Sequence, residues 1–188
     1  MKGITEIKGF TLIELLIVVA IIAILAAIAI PNFLMAQVRA KVSRAHAELR
    51  SLATAIESYR VDQSSYPIGE YRPPISTIED RWRQLTTPVA YITNIFSDPF
   101  GYSSVTASVP GPPYEYKTYD FIVDDPTLAG QHAFFTFLQS QGYSVSIEWY
   151  AASQGPDRVA GAVSPGIGIH YDPSNGTVSL GDIIRVGP

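Results

Sequence analysis

The chain has 188 residues and no cysteine, with 13 Lys and Arg against 17 Asp and Glu for a formal net charge of −4. Without cysteine a disulfide, a thiolate zinc site and a catalytic thiol are excluded. The acidic balance and scattered basic residues argue against a nucleic-acid partner, whose phosphates need clustered Lys and Arg.

The N-terminus is a short leader, residues 1–9, with Lys2, Lys8 and Gly9. From Phe10 to Ile30 the sequence is apolar, with Glu14 as its only charge. As an α-helix this run measures about 32 Å, enough to cross a hydrocarbon core of about 30 Å. A carboxylate inside such a span costs about 2.5–3.5 kcal/mol on insertion scales, which marks Glu14 as a functional residue. The plainer alternative places Glu14 near the membrane face, reaching out to water. A secretory signal cleaved after Ala27-Ile28-Ala29 is a second alternative, opposed by the length of the run and by Glu14 within it. Counted alone, Lys2 and Lys8 before the span against Arg39, Lys41 and Arg44 after it favour a cytoplasmic C-terminal side.

Pro31 lacks the N–H for a helix hydrogen bond, so a kink or local opening is expected there. Beyond it Met35, Val38, Val42, Ala45, Leu49, Leu52, Ile56 and Tyr59 recur at spacings of three and four. The stripe predicts an amphipathic helix whose apolar face packs a head, with coiled-coil pairing as the alternative. Arg39, Lys41, Arg44, Glu48, Arg50 and Glu57 lie off the stripe. The helix is expected to end before Tyr66-Pro67.

Residues 66–188, about 125 with the last helical turns, suffice for one modest core. Pro67 to Pro74 reads as loop, and Ser76 with Glu79 suggests a capping box opening a short helix through Trp82 and Leu85. Ser97-Asp98-Pro99-Phe100-Gly101 reads as a turn and Tyr114 to Val123 as a strand. A helix from Asp124-Asp125-Pro126 through Phe134, Phe135 and Leu138 is expected, then a strand from Tyr143 to Ala151. Ser153 to Asp157 is a turn, and Asp172-Pro173-Ser174-Asn175-Gly176 signals a hairpin between Ile167–Tyr171 and Thr177–Leu180. Gly181-Asp182-Ile183-Ile184 leaves a short edge segment. The fold class is therefore α+β: a long N-terminal helix, transmembrane then amphipathic, packed on a small antiparallel β-sheet head. The boundaries are a leader at 1–9, the helix at 10–65 with 10–30 spanning the membrane, and the head at 66–188.

Gly9-Phe10-Thr11-Leu12-Ile13-Glu14, joined to its apolar run, resembles the processing site of type IV prepilins and of the pseudopilins of type II secretion systems. The resemblance covers about the first 60 residues. It implies cleavage after Gly9 by a prepilin peptidase, N-methylation of Phe10, and a cytoplasmic leader with the head in the periplasm, against the charge count. It also implies a homo-oligomeric filament, built from an inner-membrane assembly platform together with minor pilins or pseudopilins. In that family Glu14 would neutralise the Phe10 amine of a neighbouring subunit. Asp98-Pro99-Phe100-Gly101 is similar to the Asp-Pro-Trp-Gly element of major pseudopilins, with Tyr114-Glu115-Tyr116 in the place of the strand that follows. Ser153-Gln154-Gly155-Pro156-Asp157 and Gly181-Asp182-Ile183 resemble the two ends of their calcium loop. The resemblance thus implies Ca2+ at Asp157 and Asp182, with Asp172 as a further carboxylate, whereas from the residues alone these aspartates read as turn caps.

Enzymatic motifs are wanting. His46, His132 and His170 are far apart without metal-ligand spacing, and no G-x-S-x-G or glycine-rich phosphate loop occurs. Tyr66, Tyr71, Trp82 and Tyr91 lack an interleaved basic stripe and read as packing residues. The function expected is a structural subunit of a type II secretion pseudopilus. Its rivals are an adhesive or motility type IV pilin, usually closed by a disulfide, and a membrane-anchored ligand-binding module with a pilin-like N-terminus.

Overall fold

The structure, a computed structural model, describes residues 9–69, 77–102, 116–124, 135–136, 138–140, 142, 146–158, 171–172, 174 and 181–188. The chain divides into two units, Met1–Gln37 and Val38–Pro188.

One helix, α1 (Leu12–Gln63), begins in the first unit and contributes its second half to the core of the other. It continues through Pro31 and stops at Gln63, where Ser64 takes a positive φ of 57° ahead of Pro67. Over residues 10–35 its apolar side chains are exposed, from Phe10 at 76% to Met35 at 37%. It is long and apolar enough to cross a membrane.

In the second unit the stripe works as its spacing predicts. Val42, Ala45, Leu49, Leu52 and Ile56 are buried, with Val38 and Tyr59 packed at the margin of the same cluster. Each fully buried Leu or Ile contributes about 1.5–3 kcal/mol relative to exposure. The stripe meets α2 (Ile78–Arg83) through Ile78 and Trp82, then Leu85, Phe100, Tyr119, Phe121, Trp149 and Ile183.

Two antiparallel sheets supply those partners. The first pairs β1 (Ser97–Tyr102) with β2 (Tyr116–Thr118), with a register irregularity between Ser97 and Tyr102. In the second, β4 (Trp149–Ser153) lies between β3 (Asp120–Val123) and β5 (Ile183–Gly187). All five residues of β4 are buried, as a central strand with both faces covered requires. One face joins the main core through Trp149 and Ala151. Tyr150 and Ala152 face a second cluster with Phe135, Leu138 and Ile147.

Several local expectations are corrected. Helix α2 is capped by Thr77, not Ser76: Thr77 Oγ1 accepts the Asp80 N–H at 3.1 Å, and Asp80 Oδ2 returns the bond to the Thr77 N–H at 3.1 Å. Either Ser76 with Glu79 or Thr77 with Asp80 satisfies the capping spacing, so spacing alone does not choose between them. Asp98-Pro99-Phe100-Gly101 is part of strand β1, and its turn-like residues sit at the register irregularity. The strand expected from Tyr114 to Val123 is divided at Tyr119 between two sheets. The strand expected from Tyr143 is shifted towards the C-terminus, starting at Trp149. The Asn175-Gly176 turn, Ile167–His170, Tyr114-Glu115 and the start of the 124–141 helix lie outside the described residues.

Candidate functional site

The N-terminal motif is built around one hydrogen-bonded unit. Thr11 precedes the first residue of α1, and Glu14 stands at the third helical position. Glu14 Oε2 accepts from the Thr11 N–H at 2.9 Å and from the Thr11 hydroxyl at 2.7 Å, while Thr11 Oγ1 accepts the Glu14 N–H at 3.2 Å. This is a reciprocal capping box, which satisfies two donors that the first helical turn leaves over. The Thr11-x-x-Glu14 spacing announces this box, which the expectations for Glu14 as a membrane acid or as a partner of the Phe10 amine do not include. Glu14 therefore has a local role before any partner arrives. Gly9 and Phe10 precede the helix in irregular chain, and both are exposed.

A model of the prokaryotic N-terminal methylation motif matches residues 6–30, spanning Gly9, Phe10 and Glu14. Over about its first third the chain is similar to type IV pilins and to a type II secretion core protein. It is 58% identical over 59 residues to the type IV major pilin protein PilA of Myxococcus xanthus, covering 31% of this chain and 27% of that one. With the type IV wide pilus major component PilA4 of Thermus thermophilus it shares 56% over 59 residues, 45% of that protein. The type II secretion system core protein G of Pseudomonas aeruginosa is 41% identical over 60 residues, 32% of this chain and 42% of that protein. The matches thus cover less than half of each of these relatives. No solved structure matches the chain.

The second candidate site, the C-terminal corner of the head, is brought together in part. Asp157 Oδ2 accepts the Gly181 N–H at 2.9 Å, which brings residues 157 and 181 together. Asp182 is buried, and its carbonyl accepts the Tyr171 N–H at 2.9 Å. Asp172 is exposed and caps the Ser174 N–H at 2.8 Å. Among the described residues no three or more His, Cys, Asp or Glu side chains converge as metal ligands.

Three carboxylates that look solvated or turn-like in the sequence are structural. Glu48 Oε2 accepts the hydroxyl of buried Tyr119 at 2.6 Å, and its Oε1 is paired with Arg44 at 2.8 Å. Burial first, then Glu48, pushes the Tyr119 hydroxyl far above its ordinary value, so it stays a donor. Nine residues further along α1, Glu57 Oε1 accepts the Trp149 indole N–H at 2.6 Å. The third is Asp98, whose buried oxygens accept from Phe100, Ser153 and Gln154. No local sequence signal finds the Tyr119–Glu48, Trp149–Glu57 and Ser153–Asp98 pairs, because each joins elements far apart in the chain.

Proposed function

We propose that the chain is a structural subunit of a type IV filament, anchored in the inner membrane by its N-terminal helix until assembly and then held by that helix in the filament core. The observation that carries the reading is the methylation motif at 6–30 on a helix, Leu12–Gln63, whose first part is apolar and exposed and whose second part is packed into a head. Prepilin peptidase cuts after Gly9 and methylates the new amine of Phe10. That amine is a cation, whereas the precursor's Phe10 nitrogen is an uncharged amide. Paired with Glu14 of a neighbour it offsets the cost of two isolated charges in hydrocarbon, so register is selected as subunits leave the bilayer. The head lies in the periplasm, and the role is mechanical rather than enzymatic.

Within this class we favour a type II secretion pseudopilus. The support is the Asp98-Pro99-Phe100-Gly101 element and a head without cysteine. An adhesive or motility pilin is the second reading, favoured by the higher identity to PilA than to core protein G. Glu14→Gln tests the assembly step. The variant should insert and be cleaved like wild type but yield few or no filaments; filaments at wild-type abundance would overturn the proposed pairing.

A further inference from the structure

Asp98 is a buried carboxylate, 7% exposed. Its Oδ1 accepts the Ser153 hydroxyl at 2.7 Å and the Phe100 N–H at 2.9 Å, and its Oδ2 accepts the Gln154 N–H at 3.1 Å. Ser153 Oγ in turn accepts the Gly155 N–H at 3.4 Å. One carboxylate thereby ties the irregular part of β1 to the end of β4 and to the start of the 153–157 turn. The far end of that turn is tied by Asp157 to the Gly181 N–H at 2.9 Å. Between the two ties Gly155 adopts φ 70°, and a side chain there would overlap the Gly181 carbonyl oxygen. Backbone therefore packs directly on backbone where the two ends meet.

Among the described residues this arrangement does not gather the ligands that the calcium-loop resemblance implies: Asp182 is buried with its carbonyl bonded to Tyr171, and Asp172 caps the Ser174 N–H. Calcium takes about 6–8 oxygen ligands. Here Asp98 faces N–H and O–H donors, and one Asp157 oxygen faces an amide. Both carboxylates are already engaged by protein donors. We propose that Asp98 and Asp157 close the corner of the head as internal hydrogen-bond acceptors, in place of a bound calcium ion. Asp98 is the positioning residue, because its three donors come from two elements 55 residues apart.

The test uses the full chain in detergent micelles, with amide hydrogen exchange of the 153–157 segment and thermal melts in millimolar calcium or in chelator. Wild type should show the same Tm and the same protection with calcium and with chelator. Asp98→Ala should exchange at Gln154 and Gly155 roughly tenfold faster or more, since a hydrogen bond to a charged group contributes about 1.5–3 kcal/mol. Added calcium should not restore its protection. Ser153→Ala, which removes a single donor and serves if the first variant does not fold, should accelerate exchange at Gly155. A wild-type Tm raised by calcium, rescue of Asp98→Ala by calcium, or unchanged exchange in the folded variants would overturn the proposal. None of these readouts depends on filament assembly, so the two proposals fail separately.

Discussion

Tyr119 donates its hydroxyl to Glu48 across the interface between the sheets and α1, at 2.6 Å and with the phenol fully buried. The pair fixes both the rotation and the axial position of the helix on the head, because a carboxylate on the apolar flank is tolerated only where its partner meets it. Tyr119→Phe keeps the ring and removes the donor. The expected loss is about 1.5–3 kcal/mol of unfolding free energy, read from urea denaturation of the full chain in detergent. No measurable change would mean that Arg44 alone satisfies Glu48.

Trp149 and Glu57 form a second such pair, with a further constraint from Gly187. A Cβ at Gly187 would overlap the Trp149 ring. Gly187→Ala is therefore expected to cost about 1–3 kcal/mol through overpacking and to shift the tryptophan emission. Trp149→Phe should destabilise by a similar amount for a different reason, leaving Glu57 without its indole donor. Thermal melts of the two variants beside wild type check both values.

The helix α2 is held by Arg81, whose Nη1 bonds Asp120 at 3.0 Å and the Phe121 carbonyl at 2.7 Å while only 11% of its side chain is exposed. Removing one member of a buried ion pair strands the other, at a typical cost of about 3–5 kcal/mol. Asp120→Ala is expected to reach the lower part of that range in chemical denaturation. Arg81→Met with Asp120→Ala should recover part of the loss.

Asp98 also gives a pH dependence with a definite sign. Burial pushes its carboxyl above the ordinary carboxylate range, assisted by Glu48 and opposed by the bonds from Phe100, Ser153 and Gln154. A folded-state value above the unfolded one means a stabilising contribution that is complete at acid pH, below about 4. That contribution is lost as pH rises through the higher folded value. The stability of wild type relative to Asp98→Asn is therefore expected to be greatest at low pH and to fall as pH rises above about 4. Denaturation midpoints of the two proteins across that range check it; a difference that grows with pH would contradict the assignment.

The parts of the fold that sequence makes plain are those written at fixed spacing in one segment. The membrane-length run, the stripe from Val38 to Tyr59 and the end of α1 before Pro67 all depend on neighbours within a turn or two. The head was less legible for a physical reason. Asp98-Pro99-Phe100-Gly101 has the composition of a turn, yet it pairs as a strand with Tyr116–Thr118, and its Asp98 carboxylate is bound by Ser153 and Gln154, more than fifty residues later. Tyr119 sits in an unbroken β-prone run, yet the chain passes there from one sheet to another. The helix acids Glu48 and Glu57 look like ordinary solvated charges until Tyr119 and Trp149 are brought to them. At the N-terminal site, Gly9, Phe10 and Glu14 were legible as a motif, while the hydrogen bonds between Glu14 and Thr11 emerge only with the helix start.

In the proposed function, processing and assembly meet at the amine of Phe10, whose chemical state in a filament can be read directly. Filaments sheared from cells that express the chain with its prepilin peptidase would be digested and the N-terminal peptide identified by mass spectrometry. The account predicts a peptide beginning at N-methylated Phe10, with residues 1–9 removed. Absence of the chain from the filament fraction, or an N-terminus at Met1 or at Ile30, would contradict it.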